Sequence, residues 1–143
     1  MRLLILLVAL LSSSCQQEDG SQVTESQHTM SANVNAAVVT RDSFNSAGTK
    51  ICYSVAGKGE PVILLHGWFG NGSGMIKSPV ARSLVGKFRL IAPDLRGHGA
   101  SDKPIGTEHY GEKMVDDAVR LMDHLEIESA HFVGYSMGGM ILT

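Results

Sequence analysis

The sequence predicts an α/β fold: a mostly parallel, doubly wound sheet with helices on both faces, entered through an antiparallel pair of strands. Three observations predict it. From about residue 36 onward, short apolar runs of strand type alternate with segments of helical period. The run Val62-Ile63-Leu64-Leu65 is apolar at every position, as expected of a parallel strand buried on both faces. Glycine-rich loops at 66–74 and 94–104 and a glycine-rich turn at 134–139 each follow a strand. In such a sheet they meet at the carboxyl edge, where ligands bind.

The chain has 143 residues, 43% hydrophobic and 18% charged, with 16 glycines, which is ordinary globular composition with enough apolar content for one core. A net charge of −2 gives no electrostatic footprint for nucleic acid or an anionic membrane surface.

Residues 1–15 are expected to be a leader outside the fold. Arg2 supplies a small positive region, and 3–11 is an unbroken apolar run, too short for the ~20 residues that span a bilayer. Ser12-Ser13-Ser14-Cys15 then resembles a bacterial lipobox, in which the cysteine is lipidated and becomes the mature N-terminus. The departure is Ser12, where that motif usually has leucine. Lipidation at Cys15 implies anchoring in the cell envelope; ordinary signal cleavage implies a periplasmic or secreted protein. Cys15 and Cys52 permit a disulfide in an oxidising compartment, whereas acylation of Cys15 leaves Cys52 as a small hydrophobe on a strand. Residues 16–35 are polar and without hydrophobic period, and read as a flexible tether that includes a solvated His28.

The folded part is expected over 36–143. Strands are predicted at 37–40 and 49–55, joined by a turn at 46–48, with Ile51, Tyr53 and Val55 on one face. The buried strand 62–65 leads into the loop 66–74. A helix over 79–88 follows from Val80, Leu84 and Phe88 at spacing four, with Pro79 in its first turn. A short strand over 89–92 ends at Pro93 and gives way to the loop 94–104. Val115, Ala118, Val119, Met122 and Leu125 make an apolar stripe on a helix over 111–125, leaving Glu112, Asp116, Asp117, Arg120 and Asp123 on a solvated face. The strand 129–135 feeds the last motif.

That motif is Gly134-Tyr135-Ser136-Met137-Gly138, followed by Gly139. It fits G-x-S-x-G, a sharp strand-to-helix turn that exposes a serine and needs neighbours without side chains. Alone the pentapeptide is weakly specific. Taken with Val62-Ile63-Leu64-Leu65-His66-Gly67-Trp68 and Ala92-Pro93-Asp94-Leu95-Arg96-Gly97-His98-Gly99-Ala100-Ser101, in that order and spacing, it resembles the α/β-hydrolase superfamily over 36–143. Within it, the chain looks most like small esterases, perhydrolases and C–C bond hydrolases.

The resemblance implies that Ser136 is the nucleophile, forming an acyl-enzyme with a small acyl substrate, and that no cofactor is needed. It also implies that the backbone N–H groups of Met137 and Trp68 form the oxyanion hole. A serine at 136 argues against the dehalogenase and epoxide hydrolase branches, which use a carboxylate nucleophile. His66 and His98 are expected to order loops, and Asp94 to hold one. His109, His124 and His131 read as packing or surface residues, and no histidine has a second ligand at metal-binding spacing.

The triad order in this fold is nucleophile, acid, histidine, and none of the seven residues after Ser136 is Asp, Glu or His. The expectation is therefore an N-terminal portion of a hydrolase, inactive as 143 residues, with its last strand an open, aggregation-prone edge. The alternative is a short, non-catalytic, surface-tethered binding module or a decayed remnant.

Overall fold

A computed structural model describes residues 38–143; the expected leader with Cys15 and the tether at 16–35 lie outside the described residues. Five strands form one mixed sheet in the order β1-β2-β4-β3-β5. The chain enters through a hairpin. β1 (Thr40–Ser46) pairs antiparallel with β2 (Thr49–Ala56), in a register running from Thr40 opposite Val55 to Ser46 opposite Thr49. Between them Ala47 and Gly48 both have positive φ, 49° and 87°, the two-residue turn whose twist matches that of the flanking strands. The Asn45 side-chain oxygen accepts the Gly48 N–H at 2.6 Å.

This hairpin corrects the first expected strand. Val38 and Val39 are exposed and unpaired, and Ala37 lies outside the described residues. The turn fixes the register, so the strand is the polar stretch that counts back from it, of which only Phe44 and Ser46 are buried.

β3 (Glu60–Leu65) and β4 (Phe88–Pro93) run parallel, and β4 closes on the hairpin by pairing antiparallel with β2. β5 (His131–Gly134) lies parallel to β3 on its other side, with Leu65 opposite Gly134. The chain therefore leaves β3 for β4 on one flank and returns to it with β5 on the other. That reversal makes the carboxyl end of β3 the switch point of the sheet, where such folds bind ligands.

Both faces of the sheet are covered. On one, Ile51, Tyr53, Ile63, Leu65 and Ile91 pack with Phe44, Leu95 and the helix residues Met114 and Leu121. On the other, Ala56, Val62, Leu64, Leu90 and Ala92 pack with Ile76, Ala81 and Val85. Successive β3 side chains alternate between the two cores, which is why that run has no polar position. Cys52 is half-buried rather than a core residue, and its thiol donates to the Ala100 carbonyl at 3.2 Å.

Three helical expectations are corrected. The loop 66–74 contains the start of a short helix α1 (Gly72–Ile76), capped by the Asn71 side chain, which accepts the Gly74 N–H at 2.8 Å. Helix α2 (Pro79–Leu84), capped by Ser78, is shorter than the 79–88 spacing suggests, because Phe88 already belongs to β4. Its buried residue is Ala81, followed by the buried Val85 at its C-cap, while Val80 faces out. Helix α3 (Glu112–His124) is rotated from the expected stripe: Met114, Asp117, Ala118 and Leu121 are buried, and Val115 and Val119 are exposed. Asp117 thus leaves the solvated face, for a reason given below. The last element is α4 (Met137–Met140).

Candidate active site

Ser136 joins β5 to α4 with φ 50° and ψ −115°, a conformation that non-glycine residues avoid at a cost of about 1–3 kcal/mol. The surrounding contacts hold it there. Tyr135 N–H donates to the Leu65 carbonyl at 2.9 Å, and Gly139 N–H donates to the Ser136 carbonyl at 2.8 Å. Gly138 sits so close to β3 that a Cβ there would collide with the Leu65 carbonyl oxygen, which is why that position carries no side chain. The serine is exposed on the resulting corner.

The loop after β3 reaches the same corner. A Cβ on Gly67 would lie 3.1 Å from Ser136 Cβ and 2.9 Å from the Tyr135 ring, so the His66-Gly67-Trp68 backbone passes directly beside the serine. Among the described residues, neither the Trp68 N–H nor the Met137 N–H has an acceptor. Two free backbone donors flanking an exposed hydroxyl are what a developing oxyanion requires. The Trp68 indole is largely exposed and stands edge-on to the His98 ring, with centroids 5.6 Å apart.

His66 is buried beneath this loop and both ring nitrogens are engaged. Leu95 N–H donates to Nε2 at 2.9 Å, so the proton resides on Nδ1, which donates to the Gly67 carbonyl at 2.8 Å. Burial holds its pKa below the ordinary value of 6.5, and the neighbouring His98 adds to the lowering. The bond to Gly67 and the charge of Asp94 pull more weakly the other way. A neutral imidazole with no free nitrogen organises the loop and is not available as a base.

The loop after β4 is held as firmly. The buried Asp94 carboxylate accepts Gly72 N–H through Oδ1 and Ala100 N–H through Oδ2, each at 2.7 Å, with Arg41 3.6 Å from Oδ2. Its own backbone N–H donates to Cys52, and Ser101 Oγ donates back to its carbonyl. Asp94 therefore ties α1, β2 and the 94–101 turn together. Next to it the guanidinium of Arg96 forms a buried bidentate pair with Asp117, Nε to Oδ2 at 2.9 Å and Nη2 to Oδ1 at 2.7 Å. Arg96 Nη1 also donates to the His109 carbonyl, and Ser46 Oγ donates to Asp117. The Asp117 bond raises the Arg96 pKa above its already high ordinary value.

Sequence reasoning missed this pair. A helical carboxylate beside a second one, as Asp117 stands beside Asp116, reads as solvated unless its distant partner is known.

The remaining histidines lie apart from the elbow. His124 stacks on Phe44 with centroids 5.1 Å apart, and His131 faces Glu60 Oε1 at 3.1 Å. No histidine or carboxylate among the described residues is hydrogen-bonded to Ser136, and no group of three His, Cys, Asp or Glu among them is placed to hold a metal. A cleft of about 500 Å³ opens beside α1, lined by Arg41, Asn71, Ser73, Lys77 and Asp94. It does not include Trp68, Ser136 or Met137 and is separate from the elbow.

The class of protein is now defined: a two-faced α/β sheet presenting a strained serine at the strand-to-helix turn beside its switch point. The chain belongs to the family described as alpha/beta hydrolase fold, whose model matches residues 60–143. Among curated relatives, it is 34% identical over 116 residues to a 2-hydroxymuconate semialdehyde hydrolase of Pseudomonas sp. (strain CF600), covering 78% of this chain and 40% of the relative. It is 37% identical over 94 residues to a soluble epoxide hydrolase of Corynebacterium sp. (strain C12), covering 66% of this chain and 32% of the relative. The solved epoxide hydrolase CorEH superposes with a TM-score of 0.66 at 34% identity, over 73% of this chain and 36% of that one. The chain thus spans about a third to two fifths of the length of these relatives, which are hydrolases of the same fold.

Proposed function

We propose that this chain is the nucleophile-bearing part of a serine hydrolase that acts on a small ester or related acyl substrate through an acyl-enzyme. The observation that carries the reading is the strained, exposed Ser136 flanked by the acceptor-free N–H groups of Trp68 and Met137. Ser136 Oγ attacks the acyl carbon, and the carbonyl oxygen gathers negative charge between the two N–H donors. The tetrahedral adduct then collapses, leaving the acyl group esterified to Ser136 and expelling the alcohol, which takes up the proton a general base removed from the Ser136 hydroxyl; water later releases the acid and restores that proton to Ser136. Each donor contributes roughly 10²–10³ in rate. The hydroxyl at 136 supports acyl chemistry in preference to the epoxide chemistry named for some of the relatives, because an alcohol nucleophile needs only a base and an oxyanion hole to transfer an acyl group.

The base and its acid are proposed to come from the part of the protein after residue 143, in agreement with the triad order of this fold and the greater length of the relatives. Export with lipidation at Cys15 is proposed on the leader pattern alone. The test is a fluorophosphonate probe on the full-length gene product. Labelling that disappears in Ser136→Ala supports the reading, and labelling that persists there sinks it. Absence of labelling in the unaltered protein favours a non-catalytic binding module. Incorporation of an alkynyl fatty acid, abolished in Cys15→Ala, tests the anchor.

A further inference from the structure

The Gly67 carbonyl and the Trp68 N–H belong to one trans peptide unit, so whatever fixes the carbonyl aims the N–H in the opposite direction. Two donors fix it: His66 Nδ1–H at 2.8 Å and Gly70 N–H at 3.0 Å. The first exists only while His66 carries its proton on Nδ1. That tautomer is favoured from both sides: the Gly67 carbonyl accepts from Nδ1, and the Leu95 N–H points at Nε2, where a proton would face another donor. Leu95 itself has its side chain buried in the core. Its backbone is held by its neighbours, the Asp94 carboxylate on one side and the Arg96 guanidinium on the other. Arg96 is 4% exposed and Asp117 4%, and their fork spans from the 94–101 turn to α3, where Ser46 of the entry hairpin adds a third bond.

We propose that the buried Arg96–Asp117 pair is a positioning pair for the oxyanion donor at Trp68, acting through the Leu95 N–H and the tautomer of His66. The proposal rests on the serine-hydrolase reading for its effect on rate, but not for its effect on His66. Neither residue touches substrate. Their role is to keep the Leu95 amide aimed at Nε2, so that the Gly67–Trp68 peptide presents its N–H to the corner rather than rotating away.

The experiment measures two quantities on the full-length protein and on Asp117→Asn. One is the pair of His66 ring ¹⁵N shifts at neutral pH, which reports the tautomer. The other is the split of ester hydrolysis between kcat and KM. The unaltered protein should show a pure Nδ1–H tautomer. In Asp117→Asn the two shifts should move toward each other. At the same time kcat should fall about tenfold, part of the roughly 10²–10³ that outright loss of such a donor costs, with KM nearly unchanged.

Val85→Ala, in the opposite core, lowers stability without moving either readout, which separates positioning from general loosening. Should Asp117→Asn not fold, Ser46→Ala keeps both charges and is read in the same way. An unchanged tautomer in the folded variant overturns the relay, whatever the rate does. A changed tautomer with unchanged kcat overturns the link to the oxyanion donor. If the unaltered protein shows no Ser136-dependent turnover, the functional reading fails, and the ¹⁵N shifts still decide the relay.

Discussion

Replacing Asp117 by alanine removes a carboxylate that accepts two guanidinium bonds and one hydroxyl bond in a site sealed from water. Both partners are 4% exposed, so Arg96 keeps its charge with only the His109 carbonyl left to receive one of its N–H groups. Breaking one member of such a buried pair costs about 3–5 kcal/mol, a large share of the ~5–15 kcal/mol that holds a domain together. An exposed pair is worth only about 0–1 kcal/mol, so the two descriptions of Asp117 are separated well beyond experimental error. Urea denaturation of the full-length protein with each single variant and the double variant Arg96→Met/Asp117→Leu provides the assay. The double variant should lose much less than the sum of the singles, because no charge is then stranded. Raising NaCl to about 0.5 M should leave the Asp117→Ala loss nearly unchanged, since a buried pair is poorly screened. A loss below about 1 kcal/mol for Asp117→Ala, or strict additivity in the cycle, would refute the reasoning.

Four further outcomes are expected. Gly138→Ala drives a methyl group into the Leu65 carbonyl, so α4 must shift. A loss of about 1–3 kcal/mol and a rate loss of roughly 10² should appear by denaturation and ester hydrolysis, and an unaffected enzyme would contradict the packing. Ser136→Gly removes the strain at φ 50° against a chain-entropy cost, giving an inactive protein more stable by about 0.5–2 kcal/mol. A less stable variant would show that the conformation is unstrained. Ser54 Oγ is buried without a partner among the described residues, so Ser54→Ala should stabilise by roughly 1 kcal/mol, measured as a shift in denaturation midpoint. His66 has a lowered pKa in the fold, so its contribution to stability is complete above the unfolded value of about 6.5 and is lost as pH falls from there toward the folded value. A His66→Gln variant should lack that part of the acid-side slope in pH-dependent melts, and an identical slope in both proteins would count against a buried neutral imidazole.

Much of the site was legible in the order of residues. The order of strands and glycine-rich segments sufficed to bring the loop at 66–74, the loop at 94–104 and the turn at Ser136 to one sheet edge, because a parallel sheet puts every strand-to-helix loop on the same side. The unbroken apolar run 62–65 was enough to mark a central strand. Local turn chemistry and core periodicity are properties of neighbouring residues, and a sequence displays neighbours directly.

What only the tertiary structure decided are the pairings between residues far apart in the chain. The hairpin register of β1 follows from a two-residue turn and its partner strand, not from the hydrophobicity of a polar stretch such as Thr40–Ser46. The burial of Asp117 depends on a guanidinium 21 residues away, and the face α3 turns to the sheet depends on that pair as well as on its apolar residues. The proton on His66 Nδ1 is favoured in part by a backbone amide 29 residues distant. Hydrophobic pattern reports how much of an element is buried, whereas charge pairing and tautomer depend on which group lies opposite, and only the folded chain brings those groups together.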